Sequence, residues 1–183
     1  MGESNIVLRA LEPEDLDVLY EWENEKSIWQ ISNTITPFSK YILRKYIDNS
    51  HLDIFQARQL RLMIDAKQKD GKILTIGTID LFDFEPQHLR AGIGILIGNK
   101  GERGKGYARS ALTELINYAF VHLKLVQLYC NIEKDNLASM NLFKGQGFEV
   151  VGVKKMWNKK PKGFSDEVLL QLINPIYQKS SGN

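Results

Sequence analysis

Arg103-Gly104-Lys105-Gly106-Tyr107-Ala108 is the stretch of this chain with the clearest capacity for chemistry. It stands between a short apolar run, Ile93-Gly94-Ile95-Leu96-Ile97, and a segment where Ala108, Ala111, Leu112, Leu115, Ile116, Ala119, Phe120 and Leu123 recur at helical spacing. A glycine-rich turn that opens a helix points several backbone N–H groups at one anion, and the helix dipole adds to the attraction. Gly104 and Gly106 carry no Cβ, so the main chain can come close to its ligand. The arrangement is that of a phosphate cradle. It is not a Walker loop, because Lys105 is followed by Gly106 where a magnesium-holding Ser or Thr would stand. It is not a dinucleotide fingerprint either, since Gly104-Lys105-Gly106-Tyr107-Ala108-Arg109 lacks the third small residue and does not follow a first strand.

A second segment agrees with the first. Asn136-Leu137-Ala138-Ser139 and Asn141-Leu142-Phe143-Lys144-Gly145-Gln146-Gly147-Phe148 read as a capped short helix that ends in a Gly-Phe pair. With these two motifs the chain resembles the GNAT superfamily of acetyl-CoA-dependent N-acetyltransferases, whose signature Arg/Gln-x-x-Gly-x-Gly/Ala the cradle matches. The likeness extends from Val7-Leu8-Arg9-Ala10-Leu11 and Pro13-Glu14-Asp15-Leu16 to Gly163-Phe164-Ser165-Asp166. Within the family it is most similar to the branch of spermidine/diamine acetyltransferases and acetyltransferases of ribosomal-protein amino termini. The resemblance implies an α/β GNAT fold, with a mixed central sheet whose central strands splay and are flanked by helices. It implies acetyl-CoA as cosubstrate, with no metal, and an amine acceptor, either a small amine or polyamine or a protein N-terminus. Cofactor binding is implied for Arg103, Gly104, Lys105, Gly106, Tyr107 and Ala108, for Asn136 and Phe143, and for the main chain of Ile95, Leu96 and Ile97, which in the family holds the pantetheine arm and polarises the carbonyl.

The acid and base are where this chain departs from its relatives. An amine with a pKa of about 10 needs a base at neutral pH, directly or through water. Many members carry Glu in an Ala-Glu-Ile-Gly context, and here that reads Ala91-Gly92-Ile93-Gly94. Asp80 and Asp83, on the neighbouring strand, match acidic positions of the polyamine branch, and Asp80 is the preferred candidate. Strand alternation puts the two on opposite faces unless a bulge intervenes. The Tyr that donates to the leaving sulfur is replaced by Phe143, and Tyr129 is the candidate substitute, with water as the alternative.

The elements that must position these residues follow from pattern. A strand is expected over Ile6 to Leu11, a helix from Pro13, a second helical stretch from Ser39, and strands over Gln59 to Asp65, Ile73 to Phe84, Ala91 to Gly98 and Leu125 to Ile132. Asp70-Gly71 and Glu85-Pro86-Gln87-His88 are turns. The run Lys154-Lys155-Met156-Trp157-Asn158-Lys159-Lys160-Pro161-Lys162 reads as a solvated hairpin loop, or else as a basic surface for RNA or phosphate. On the acceptor side its charge would disfavour a polycation.

The chain has 183 residues, which suits one domain over 1–179 with a disordered tail at 180–183. A net charge of +2 of mixed sign provides no global field for nucleic acid, and none is expected as a partner. Cys130 is alone and cannot form an internal disulfide, and His51, His88 and His122 lack metal-ligand spacing. No membrane-spanning run or signal pattern is present, so the cytoplasm is the expected compartment. A homodimer is compatible with all of this. Two other classes remain open on these residues, a non-catalytic coenzyme-A-binding sensor or scaffold and an RNA- or ribosome-associated module.

Overall fold

The computed structural model describes residues 5–32 and 34–178, the side chains of 30–32 excepted. The tail expected at 180–183 lies outside the described residues. The strands are β1 (Ile6–Arg9), β2 (Leu60–Lys67), β3 (Ile73–Glu85), β4 (Arg90–Ile97), β5 (Gln127–Glu133), β6 (Glu149–Lys160) and β7 (Gly163–Ile173). The helices are α1 (Leu16–Glu23), α2 (Lys26–Ser32), α3 (Lys40–Asp48), α4 (Ile54–Ala57), α5 (Tyr107–Val121), α6 (Leu137–Lys144) and α7 (Pro175–Gln178). The seven strands form one sheet in the order β1-β2-β3-β4-β5-β7-β6. Every neighbouring pair is antiparallel except β4 with β5.

Alternation along the strands divides the core between two faces. Ile79, Leu81, Ile93, Leu128 and Cys130 pack on one face with Ala111, Leu112 and Leu115 of α5. On the other, Met63 and Leu96 pack with Leu19, Trp22, Leu43 and Ile47 of α1 and α3. The amphipathic helices therefore sandwich the β2–β4 part of the sheet.

The single parallel pair is short. β4 and β5 pair only at Arg90↔Gln127, Ala91↔Leu128 and Gly92↔Tyr129. Beyond that point β4 stays paired to β3 as far as Ile97, and β5 stays paired to β7 as far as Glu133. The two strands thus part at Gly92 and Tyr129 and leave a fork, the splay expected from the sequence.

The lysine run is not a loop. β6 continues through Lys160, and only Pro161 and Lys162 turn the chain into β7. The reason is local pairing of charge: Lys154 meets Glu167 at 2.8 Å, Lys155 meets Asp166 at 3.0 Å and Lys160 meets Glu133 at 2.6 Å. A bulge between Lys154 and Asn158, with Met156 at φ 51°, is closed by the Met156 N–H donating to Asp166 Oδ1 at 3.1 Å. Three of the lysines that suggested a basic surface are consequently neutralised across the sheet.

Candidate active site

The cradle is built by backbone conformation. Gly104 (φ 77°) and Gly106 (φ 87°) both lie in the left-handed region that side chains resist, and a Cβ at either would meet only open space. Gly106 is the N-cap of α5, and the first helical bonds run from the N–H groups of Arg109 and Ser110 to its carbonyl. The preceding N–H groups of the turn have no helical acceptor, so they are available to an anion at the positive end of the dipole. Arg103 closes the turn on β4, its Nε donating to the Ile97 carbonyl at 2.9 Å. Lys105 Nζ donates to Glu102 Oε1 at 2.9 Å, and the second oxygen of the buried Glu102 has no hydrogen-bond partner.

From the cradle a cavity of about 440 Å³ runs along the free edge of β4. Ile95, Leu96 and Ile97 form one wall, Arg103, Gly104, Gly106, Tyr107 and Ala108 the head, and Asn136 and Ser139 of α6 the opposite side. Since the Ile97 carbonyl accepts from Arg103, it points away from β3. Alternation then turns the N–H and C=O of Ile95 the same way, into the fork. Leu96 contributes differently, with a side chain that packs against the α1/α3 core. Lys105 is the one cradle residue that does not line the cavity. Asn136 caps α6 by accepting the Ser139 N–H at 3.1 Å, and also lines a smaller cavity of about 160 Å³ inside the fork, with Cys130 and Phe143. Phe143 is buried edge-on against Phe148, 5.1 Å between centroids. Burial pushes the Cys130 thiol up to about 12, so it is not a thiolate nucleophile.

On the opposite face of the sheet, Asp80 and Tyr129 lie apart and have different partners. Asp80 Oδ1 accepts from Arg61 Nε at 2.5 Å, and Arg61 NH1 donates to Glu23 at 2.9 Å. Burial raises the Asp80 carboxyl against the pull of Arg61. Tyr46 stacks on the same guanidinium, 5.4 Å from ring centroid to Arg61 Cζ. Tyr129 instead donates its hydroxyl to Asp83 Oδ2 at 3.1 Å. Its phenol is pushed up to about 12, by burial first and then by Asp83.

Comparison with known proteins gives this geometry its family. The model of the acetyltransferase (GNAT) domain matches residues 5–149. The chain belongs to the GNAT acetyltransferase family. It is 27% identical to the N-acetyltransferase p20 of Bacillus licheniformis over 94% of each chain. To the spermidine N(1)-acetyltransferase of Vibrio cholerae it is 26% identical over 79% of each. Among solved structures, the V. cholerae spermidine N-acetyltransferase in complex with CoA and spermine superposes with a TM-score of 0.81 at 22% identity, covering 96% of this chain and 99% of that one.

Within this GNAT domain the two departures noted in the sequence have structural settings. At Gly92 a Cβ would stand 2.2 Å from the Phe82 ring, so the ring fills the space that a side chain from β4 would need. Phe143 presents an apolar edge to the fork where a phenol is expected. Arg61 carries no local sequence signal, since it lies 19 residues from Asp80 and reaches it only through the Arg61↔Asp80 register of β2 and β3. The one signal for Glu102 is its place beside the cradle. Among the described residues no cluster of His, Cys, Asp or Glu could hold a metal ion, and no helix is long and apolar enough to cross a membrane.

Proposed function

We propose that residues 103–108, Asn136 and the Ile95–Ile97 edge bind acetyl-CoA, and that the acceptor is a primary amine approaching from the face that carries Asp80 and Tyr129. The observation that carries the reading is the left-handed pair Gly104 and Gly106 at the head of a cavity that follows the unpaired edge of β4. Phosphate fits the cradle, because the Cβ-free turn and the first N–H groups of α5 supply donors, and the adjoining Glu102 carboxylate, which also lines the cavity, is paired with Lys105. When bound, acetyl-CoA supplies an acetyl thioester, and attack by the amine is direct because no activated Cys or Ser competes among the described residues. The main-chain groups of Ile95 and Ile97 orient the pantetheine arm, and an N–H of this edge polarises the carbonyl without the loss of any side chain's freedom.

Polyamines are the acceptor class we favour. Glu23 and Asp80 outnumber the one guanidinium they share, which leaves a surplus of negative charge around Arg61. The spermidine N(1)-acetyltransferases of V. cholerae and Escherichia coli are relatives at 26% and 25% identity. Asp80 serves in this reading as an anchor for the ammonium group, since one of its oxygens is already held by Arg61. The proposal treats 1–179 as one domain and includes self-association, with a homodimer as its smallest form. The edge strand β6 supports it, with Val151, Val153, Met156 and Trp157 exposed. Sedimentation velocity tests the assembly. Release of free coenzyme A across a panel of polyamines, diamines and N-terminal peptides tests the activity. Saturable release with a polyamine is the expected result, and binding of acetyl-CoA without release for any amine would favour a sensor.

A further inference from the structure

We propose that Tyr129 and Asp83 form a proton relay at the fork, with Tyr129 as the catalytic residue that meets the acceptor nitrogen and Asp83 as the group that receives the proton through it. The inference rests on the acetyltransferase reading above and concerns how that reaction disposes of its proton. From Ile97, where the cradle touches β4, to Gly92, where β4 and β5 part, the strand takes five steps, about 17 Å at the ordinary rise. The free edge along which an arm would lie therefore ends beside Tyr129, the register partner of Gly92. No carboxylate comes from β4 at this point, because Phe82 occupies the place of a Gly92 side chain and meets Tyr129 edge-on, 6.0 Å between centroids.

A carboxylate arrives from β3 instead. The register of β3 with β4 slips between Phe82 and Glu85, and Asp83 there adopts φ 47°, a left-handed conformation that Asp tolerates better than most residues. The slip brings Asp83 round to the face of Asp80, where it takes the Tyr129 hydroxyl proton in a 3.1 Å hydrogen bond. Since Tyr129 spends its only proton on Asp83, the phenolic oxygen has lone pairs left for another donor. It thus presents an acceptor on the face that carries Asp80, in the cavity it shares with Arg90 and Lys154, which suits an amine N–H and does not suit donation to sulfur.

The step balances. The neutral amine forms the C–N bond, its nitrogen passes one proton to the Tyr129 oxygen as the Tyr129 proton passes to the Asp83 carboxylate, and the C–S bond breaks with water protonating the sulfur. Asp83 is exposed and returns its proton to solvent. The other charged groups facing Tyr129 are Arg90 of β4 and Lys154 of β6, with which it shares a cavity of about 470 Å³, and the Lys154 ammonium is held by Glu167 of β7 and by Asn131.

The test compares Tyr129→Phe, Asp83→Asn and the double variant with an acceptor on which the native protein turns over. Each single change is expected to lower kcat about a hundredfold with the KM for acetyl-CoA unchanged. The double variant should be no worse than either single one, because the two act as a unit. Asp83→Glu should recover part of the rate. Independent of turnover, the Tyr129 ring-carbon resonance in tyrosine-labelled protein, assigned by its loss in Tyr129→Phe, should titrate at lower pH in Asp83→Asn. Asp83→Gly accepts the same backbone and repeats the measurement if Asn does not fold. Native turnover with an undiminished Tyr129→Phe, multiplicative losses in the double variant, or an unmoved Tyr129 titration would each overturn the relay alone. A native protein inert toward every amine would overturn the acetyltransferase reading and the relay with it.

Discussion

Gly106 shows how much one residue can decide. Its φ of 87° points the start of α5 at the cradle, and valine at that position would suffer steric strain of about 1–3 kcal/mol while placing methyl groups where a phosphate is expected. Gly106→Val should therefore abolish the rise in melting temperature caused by acetyl-CoA, which a thermal scan with and without ligand measures. Asp80 is the second case. Asp80→Asn retains the shape but removes a negative charge that Arg61 already half satisfies, so we expect the KM for a polyamine to rise about tenfold, a loss of 1.4 kcal/mol. Steady-state kinetics on the amine check it, and acetyl-CoA binding should be untouched. The left-handed turn at Gly104 and Gly106 was legible in the sequence because glycine spacing itself permits it. The Arg61 partner of Asp80 and the Asp83 partner of Tyr129 were not, since one depends on strand register and the other on a bulge. Neither leaves a mark in local sequence.

Elements are joined here by buried charge as well as by apolar packing. Arg9 at the end of β1 donates to both oxygens of Asp15, which precedes α1, and from Nε to Asp65 of β2, whose other oxygen accepts from Thr75 of β3. Asp15 and Asp65 are both buried, so the guanidinium is what makes their ionised forms tolerable. Arg9→Met would strand two carboxylates and cost about 3–5 kcal/mol, to be read from urea unfolding at neutral pH. The pH dependence has a definite sign. Burial acts to raise the Asp15 carboxyl, yet Arg9 and the Glu12 N–H together hold it below its ordinary value. The stabilisation it gives is thus complete above about pH 4 and is lost as pH falls through the lowered folded value. Arg9→Met should lose this acid limb and regain part of its deficit as the stranded Asp15 carboxyl protonates. Long periodic elements such as α5 and the strands β1 to β5 could be read from pattern, and β6 and β7 were not, whereas α2, α4 and the four-residue α7 are too short to show a period. The lysine run misled because charge spacing along a strand does not reveal the acids facing it on β5 and β7.

At the scale of the molecule, the sheet is two units that share only three register pairs. β1 to β4 with α1, α3 and α5 form one, and β5 to β7 with α6 the other, meeting at Arg90–Gly92 and Gln127–Tyr129. The cavity that follows β4 has its far wall on α6, so a ligand filling it touches both units at once. Such a ligand does more than add contacts, because it replaces strand pairing that the fork omits. Binding only to the folded state contributes about 2.7 kcal/mol at a hundredfold excess over the dissociation constant. For a domain of this size that corresponds to a rise in melting temperature of roughly 5–11 °C. The distribution of the effect distinguishes bridging from simple linkage. If acetyl-CoA spans the fork, amide exchange should slow most on the α6 turn from Asn136 and along the free edge of β4, and little on β1 or β2. Exchange measured with and without acetyl-CoA checks this, and uniform slowing across all seven strands would mean that the ligand stabilises the fold globally without bridging the two units.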